Sequence, residues 1–314
     1  MRAIEYQAAP FEVAIVRGKA GKSGRRVYGG SDSLSGRVVT NWPPRTLDNR
    51  AIYLSCGNSA KTGLAEASVD LVVTDPPFFD NVHYSELADF FFAWQQLGPT
   101  PFAKVRHSTR HVEEVQDVSA EQFATKLRRV FEECRRVLRQ DGLLVFSYHH
   151  SRADGWLSLA EAVADAGFSI VNCQPVKAEM SGATPKSQAK EPIQLDVILV
   201  CRKQSADVRP KLSEKDALSA ATERARAKAA RLQSVDMDLS ANDRRVVLIG
   251  QFLAEACSGR SPAEFVATLA ASLTDLDLAA LSLCQETVKP AGYAEALDAV
   301  EPQLVLLERP MKQV

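Results

Sequence analysis

The chain lacks any apolar stretch approaching the roughly 18–20 residues that span a bilayer, and its N-terminus has no secretory pattern. It therefore reads as a soluble, cytoplasmic protein with no membrane partner. It has no C-x-x-C pair: Cys56, Cys134, Cys173, Cys201, Cys257 and Cys284 lie far apart. That spacing fits buried free thiols in a reducing compartment and argues against disulfides or a zinc site, so no metal is expected. An excess of charge is missing too, since 38 basic residues face 39 acidic ones for a net −1, and the whole chain carries no nucleic-acid signal. Internal repeats are absent. Gly21-Lys22-Ser23 resembles the end of a nucleotide-binding loop, but the glycine required five residues earlier is Val16, which removes the motif. What remains is ordinary: 314 residues, 25% charged and 46% hydrophobic, enough for one large or two modest domains. The charge is uneven, however. Residues 1–50 hold nine Lys/Arg against four Asp/Glu, a balance of +5 that leaves −6 for the rest. Much of it lies in Arg17–Arg26, a basic loop equally suited to phosphates or to plain solvation.

The most informative segment is Thr74-Asp75-Pro76-Pro77-Phe78, which ends the apolar run Val69–Val73. A β-rich run stopped by an acid and two prolines places that acid on the C-terminal rim of a sheet, where open α/β sheets bind ligands. Prolines donate no amide proton, so the turn presents carbonyl acceptors. An acid, a carbonyl and an aromatic ring side by side suit an exocyclic amino group on a flat base. The Asp75 carboxylate and the Pro76 carbonyl accept its two N–H protons while Phe78 stacks on the ring. Asp-Pro-Pro alone is also a common strand-ending turn, but its neighbours support the catalytic reading. Ala51–Asn58 reads as a short strand ending in a Gly-Asn turn. Tyr84–Leu97 carries Leu87, Phe90, Phe91, Trp94 and Leu97 at helical spacing. The run is thus strand, short connection, strand, turn, helix.

Further along, Ser119–Gln122 has the capping-box pattern, and Phe123, Leu127, Val130, Phe131, Cys134 and Leu138 form one apolar face. Asp141-Gly142 is expected to stop that helix, and Leu143–Ser147 to form a buried strand ending in Tyr148, His149 and His150 on the same rim. The two histidines read as a polar wall of the substrate pocket, because neighbours on a strand point to opposite faces. A helix through Trp156, Leu159, Val163 and Ala166 and strands over Phe168–Val176 and Gln194–Arg202 complete the sheet. Beyond a linker near Gln204–Pro210 the composition turns helical, with helices opening at Ser213, near Asn242 and at Ser261-Pro262. The expected organisation is a basic N-terminal segment (1–50), an α/β catalytic half-domain (51–204) and an α-helical C-terminal region (205–314).

With these residues in view the chain resembles the C-terminal part of the large proteins known as adenine-specific DNA methylases with a Zn-ribbon. The matching stretches are Thr74–Phe92, Glu133–Gly142, Phe146–His150 with Trp156, Ala166–Phe168, Pro175 with Glu179, and Asp196–Arg202. That family usually has Tyr where this chain has Phe78. The resemblance implies an S-adenosyl-L-methionine-dependent methyltransferase with a Rossmann-like sheet, mostly parallel with one antiparallel strand, acting on DNA, with adenine N6 as the target. Asp75, Pro76, Pro77 and Phe78 would form the catalytic turn, Phe79, Asn81, His83, Tyr84, His149 and His150 would line the base pocket, and Asn58 would meet the cofactor. Only the second half of such a sheet is visible. A first strand leading into a glycine-rich cofactor turn, and a strand ending in an acid for the ribose, are not found; Gly29-Gly30 and Gly18–Gly21 have the wrong surroundings. The alternative expectation is a non-catalytic or split-enzyme subunit that needs a second chain carrying the missing half.

Overall fold

The fold is described from a computed structural model. It describes residues 11–18, 21–28, 37–39, 41–44, 51–80, 82–97, 108–178, 193–204, 210–235 and 237–283. Gly29-Gly30, Asn81, Glu179, Cys284 and linker residues 205–209 lie outside that set. The chain divides into two compact units, Met1–Gly57 and Asn58–Val314.

In the first unit, β1 (Phe11–Gly18) and β2 (Gly21–Tyr28) pair antiparallel from Phe11 opposite Tyr28 to Gly18 opposite Gly21. The basic stretch expected as a loop is therefore mostly hairpin, because it pairs with the strand that carries β-formers Val13, Ile15 and Val16. Gly21-Lys22-Ser23 opens a strand and leads into no helix, which a phosphate-cradling loop would need. Two short strands, β3 (Arg37–Val39) and β4 (Ala51–Tyr53), pair parallel with each other. β4, expected next to the catalytic strand, belongs to this separate pairing.

The second unit runs β5 (Val69–Thr74), α1 (Tyr84–Gln95), α2 (Ala120–Val137), β6 (Leu138–Tyr148), α3 (Ala153–Asp165), β7 (Phe168–Lys177), β8 (Leu195–Lys203), α4 (Glu214–Gln233), α5 (Ala241–Ala256) and α6 (Pro262–Ser282). Its sheet has the order β5-β6-β8-β7. β5 and β6 are parallel, and β8 runs antiparallel to both β6 and β7. Three strands thus point one way and the last strand in sequence lies reversed between two of them. This is a mixed α/β fold, and the turn after β5 and the Tyr148–His150 end of β6 share one rim.

The sheet is covered unequally. On one face Leu144, Phe146 and Tyr148 of β6, Val197, Leu199 and Cys201 of β8, and Phe168, Ile170 and Cys173 of β7 are all essentially buried. Phe131 of α2 meets Phe146 at 5.1 Å between ring centroids, and Trp156 of α3 meets Tyr148 at 5.2 Å. α5 lies against β7 and β8 so closely that a Cβ on Gly250 would collide with Cys173 Sγ. Buried Asp243, in the first turn of α5, accepts the backbone N–H groups of Gln194 and Leu195 and so ties the helix to the start of β8. On the opposite face Leu71 and Val73 of β5 are 51% and 70% exposed.

The helices after Gln204 belong to the same compact unit as the sheet. α4 buries Ala217, Ala221, Ala225 and Ala229 as a strip of small residues and packs on α5. α6 is long and apolar enough, by length and composition, to cross a bilayer, unlike the sequence expectation, although Glu264, Asp275 and Asp277 interrupt its apolar run. In the fold it buries Phe265, Leu269 and Leu276 and packs on α3, α4 and α5. Of the five described cysteines four are buried, and Cys56 is exposed.

Helix starts follow the expected chemistry. Ser119, Ser213 and Ser261 are N-caps whose hydroxyls accept an N–H three residues on. At Ser119 the capping box is only half present, since the Ser119 N–H donates to Asp117 Oδ1 instead of to Gln122. The stop of α2 differs from expectation: it ends at Val137, and Leu138 and Asp141-Gly142 already belong to β6. Gly142 lets the strands approach, since a Cβ there would lie 3.0 Å from the Asp70 carbonyl oxygen.

Near the end of α2, Glu133 accepts the Thr62 N–H at 2.9 Å and the Thr62 hydroxyl at 2.6 Å, and Arg136 donates to it twice at 2.8 Å. Arg136 also holds the Leu64 carbonyl, so this cluster tethers the segment that leads into β5. The Arg136 guanidinium, with Thr62, lowers the Glu133 carboxyl from 4.5 to about 2. A carboxyl depressed in the folded state stabilises fully above its unfolded value and loses that contribution as pH falls toward the folded one. Glu133→Gln should therefore lower stability at pH 7 by on the order of 2–3 kcal/mol. It should also flatten the loss of stability between pH 4.5 and about 2, measured by urea unfolding across that range. An unchanged acid limb would contradict this role.

Candidate active site

β5 ends because Pro76 and Pro77 cannot donate to a ladder. The turn that follows is shaped by Phe79, which has φ of 53°, a left-handed conformation unusual for a bulky side chain. Phe79 is 2% exposed and lies against Phe123 of α2 and His150, at 5.4 and 5.6 Å between ring centroids. The Arg152 guanidinium sits 5.2 Å over its ring. Asp80, next in the chain, accepts from Arg152 at 3.0 Å. With Phe79 turned inward, Phe78 is left half-buried on the rim. It meets Tyr148 and His149 edge-on at 5.3 and 4.8 Å.

Asp75 is exposed and accepts a hydrogen bond from the Ser147 hydroxyl of β6. Ser147 and His149 alternate with Phe146 and Tyr148, so the two polar side chains project from the less covered face of the sheet. His149 Nδ1–H donates to Asp196 Oδ1 of β8 at 2.5 Å. Asp75, Ser147, Phe78, His149 and Asp196 therefore stand along one rim, reached from three strand ends.

Behind them the rim is fixed by buried groups. The Tyr148 hydroxyl donates to the Gly155 carbonyl at 2.9 Å, and the Trp156 indole N–H donates to the His150 carbonyl at 2.9 Å. Burial pushes the Tyr148 phenol far up, so it stays neutral and donates. Burial likewise lowers His150, which is 1% exposed. His150 Nδ1 accepts the Arg152 N–H at 3.1 Å, which leaves the ring proton on Nε2, 3.6 Å from Asp80 Oδ1.

The expected site residues are thus sorted. Asp75, Phe78 and His149 are brought together, with the Pro76 ring buried beneath the turn and Pro77 half-buried. Phe79 and His150, expected in the substrate pocket, are instead packed in the core behind it. The left-handed turn at Phe79 sends that ring inward, and His150 alternates with His149 on β6. His83 precedes α1 with Nδ1 3.4 Å from Gln116, and exposed Tyr84 opens the helix. Asn58, expected to meet a cofactor, is occupied: its amide donates to Glu113 at 3.0 Å and its oxygen accepts the Ala60 N–H at 2.9 Å. Asn81 lies outside the described residues. Ser147 and Asp196 were missed. The signal for Ser147 is the period-two alternation of Phe146-Ser147-Tyr148-His149, and the signal for Asp196 is a lone acid among the apolar residues of β8.

This arrangement sets a strand-ending acid, two prolines and an aromatic ring on the rim of a mixed α/β sheet. A family model for DNA methylases of the N6/N4 type matches residues 69–246, more than half of the chain, and the chain belongs to that family. No curated protein matches the chain. Among solved structures, one similar to it is TTHA0409 of Thermus thermophilus, named as a DNA modification methylase, with 20% identity and a TM-score of 0.27. That alignment covers 54% of this chain and 61% of that one, so the chain spans about three fifths of that protein's length. A further structure of TTHA0409, in complex with S-adenosyl-L-methionine, aligns over 56% of this chain and 73% of that one, again with 20% identity and a TM-score of 0.27.

Gly155 is the point where the rim tolerates least. A Cβ there would overlap the His150 ring at Cγ, inside the buried ring cluster. Gly155→Ala should lower unfolding free energy by about 1–3 kcal/mol through overpacking. The check is a denaturant melt, and a midpoint equal to wild type would show that the ring cluster yields.

Proposed function

We propose that this chain carries the base-methylating half-site of a DNA amino-methyltransferase, with adenine N6 as the acceptor and S-adenosyl-L-methionine as the methyl donor. The observation that carries the reading is the Asp75 carboxylate, exposed at the end of β5, held by Ser147 and followed in the chain by Pro76, Pro77 and the half-buried Phe78. An amino nitrogen on adenine is a poor nucleophile because its lone pair is delocalised into the ring. Asp75 and the Pro76 carbonyl accept its two protons, draw the nitrogen toward tetrahedral geometry and free the lone pair for attack. The N–C bond would form as the donor's S–CH3 bond breaks and S-adenosyl-L-homocysteine leaves, and Asp75 takes the proton that the nitrogen loses. Phe78 stacks on a base turned out of the duplex, a contact typically worth about 1–3 kcal/mol. Holding the reactants aligned contributes on the order of 7–11 kcal/mol. Ser147 keeps the carboxylate oriented, and the His149–Asp196 pair supplies a polar wall beside the ring. The resemblance of Thr74–Phe92 and the later stretches to adenine-specific DNA methylases supports adenine over cytosine N4.

The residues present do not by themselves fit the methyl donor. Among the described residues no glycine-rich turn follows a strand of this sheet, and the Asn58 amide is already partnered. The chain's own residues therefore account for the binding, orientation and deprotonation of the base. A second chain that completes the donor side is part of this reading.

The test is nucleoside mass spectrometry of host DNA from cells carrying wild-type protein or Asp75→Ala. N6-methyladenine should be present with the first and fall to background with the second. N4-methylcytosine in its place would move the acceptor to cytosine, and identical DNA in both strains would overturn the reading. Ser147→Ala should slow methyl transfer about tenfold, as loss of one hydrogen bond of roughly 1–1.5 kcal/mol implies. Ser147→Thr, which keeps the hydroxyl, should restore it.

A further inference from the structure

β8 alternates the buried residues Leu195, Val197, Leu199 and Cys201 with partly covered ones, and the acid Asp196 falls on the partly covered side. It stands one step past the last ladder pair of β6 and β8, Tyr148 opposite Val197, so the same antiparallel register sets it across from His149. Directly opposed residues share a sheet face, and their side chains meet. The Asp196 carboxylate accordingly accepts the His149 Nδ1–H at 2.5 Å, with 12% of the His149 side chain and 17% of the Asp196 side chain exposed. A charge-assisted hydrogen bond of that length at a mostly covered site holds the imidazole in one orientation. The His149 ring in turn meets Phe78 edge-on, with 4.8 Å between centroids and 71° between planes. Tyr148 meets the same ring at 5.3 Å and 67°. Phe78 is thus gripped by two consecutive residues of β6 whose side chains leave opposite faces of the sheet. The core fixes Tyr148, through its burial and its bond to the Gly155 carbonyl. Asp196 fixes His149.

Helix α5 holds this pair from both sides. Its buried Asp243 accepts the Gln194 N–H at 2.7 Å and the Leu195 N–H at 3.1 Å, which pins the two residues before Asp196. Arg245, two residues further on, donates to the Ser151 carbonyl at 2.5 Å and pairs with Asp277 of α6 at 2.5 Å, which pins the segment just after His149 and His150. The register matters because side chains alternate: a slip of β8 by one residue would turn Asp196 to the buried face and set an apolar side chain against His149. We propose that Asp196 is a positioning residue that, through His149, sets the plane of the Phe78 ring on which the target base stacks, and that α5 sets Asp196 through Asp243 and Arg245. This inference rests on the methyltransferase reading. Asp196 moves no proton in it and acts on binding of the base, not on the methyl step. It also gives the helical C-terminal region a part in the site: α5 braces the two strand ends whose side chains orient Phe78.

The experiment measures initial rates of radiolabelled methyl transfer from S-adenosyl-L-methionine to DNA of a host strain lacking the gene, over a range of DNA concentrations, by the full chain purified from its host. Asp196→Ala should raise KM for DNA about tenfold, as loss of one hydrogen bond to a charged group implies, and leave kcat within about twofold. Asp196→Asn, which keeps a carbonyl acceptor, should recover most of that loss. In a His149→Phe background Asp196→Ala should add nothing, because its effect runs through His149. Asp196→Leu, close to Asp in shape and lacking the acceptor, gives the same reading if the Ala variant loses the wild-type circular dichroism spectrum. The second readout is NMR of chain labelled with 15N-histidine and 13C-phenylalanine. Wild type should show His149 protonated at Nδ1, and removal of the acceptor should move both the His149 nitrogen and the Phe78 ring resonances. A fall in kcat at unchanged KM, an additive effect in the His149→Phe background, or unmoved Phe78 resonances would each overturn the proposal. If the wild-type protein transfers no methyl group, the methyltransferase reading falls, and the Phe78 resonances alone decide whether Asp196 sets that ring.

Discussion

Phe79 adopts a backbone conformation that bulky L-residues avoid, at a cost of about 1–3 kcal/mol. Burying its ring recovers roughly 1.5–3 kcal/mol, so the turn is held by the core and not by its own backbone preference. Much of the rim follows from that exchange. Because Phe79 goes in beside Phe123, the adjacent Phe78 stays on the rim, and Asp80 is delivered to Arg152. Arg152 in turn covers the Phe79 ring and donates to His150, which closes the circle. The acid at position 75 is thus exposed on a turn whose other end is anchored among the buried rings of Phe79, Phe123 and His150.

The unequal covering of the sheet separates two tasks. The face under α2, α3 and α5 is built for rigidity, with Trp156, Phe146 and Tyr148 essentially buried and Gly250 admitting α5 to contact with Cys173. The other face presents Ser147 and His149 near the rim and bare aliphatic side chains further down β5. The polar rim groups and the exposed aliphatic side chains therefore share one side of the sheet, and the buried core lies on the other.

Much of this was legible in the sequence where local rules act alone. Serine caps at 119, 213 and 261 mark helix starts because a hydroxyl satisfies an otherwise unpaired amide wherever the helix sits. The acid, the prolines and Phe78 announced the rim, since a strand must stop there. What escaped notice depended on tertiary company. The end of α2 came at Val137 because Leu138 pairs with Val69, although its helical periodicity continued. The basic stretch near the N-terminus folded into strands because its cross-strand partner lay only a few residues away. Ser147 and Asp196 gained meaning only when β6 and β8 were set side by side. The helix of α1 follows from its apolar periodicity, but periodicity alone does not say that the stripe stays exposed.

The position of β8 carries a consequence for synthesis. Of the described strands it is the last to leave the ribosome and the one that separates β6 from β7. Until Leu195–Lys203 has emerged, β6 lacks one neighbour and β7 lacks its only observed one. Both strands must wait, with apolar side chains and unpaired backbone exposed, through the whole passage from Lys177 to Leu195. The nascent chain is most prone to aggregation in that interval. Asp243, which clasps the first amides of β8 from α5, arrives later still, so the sheet is locked only after nearly 250 residues are in place.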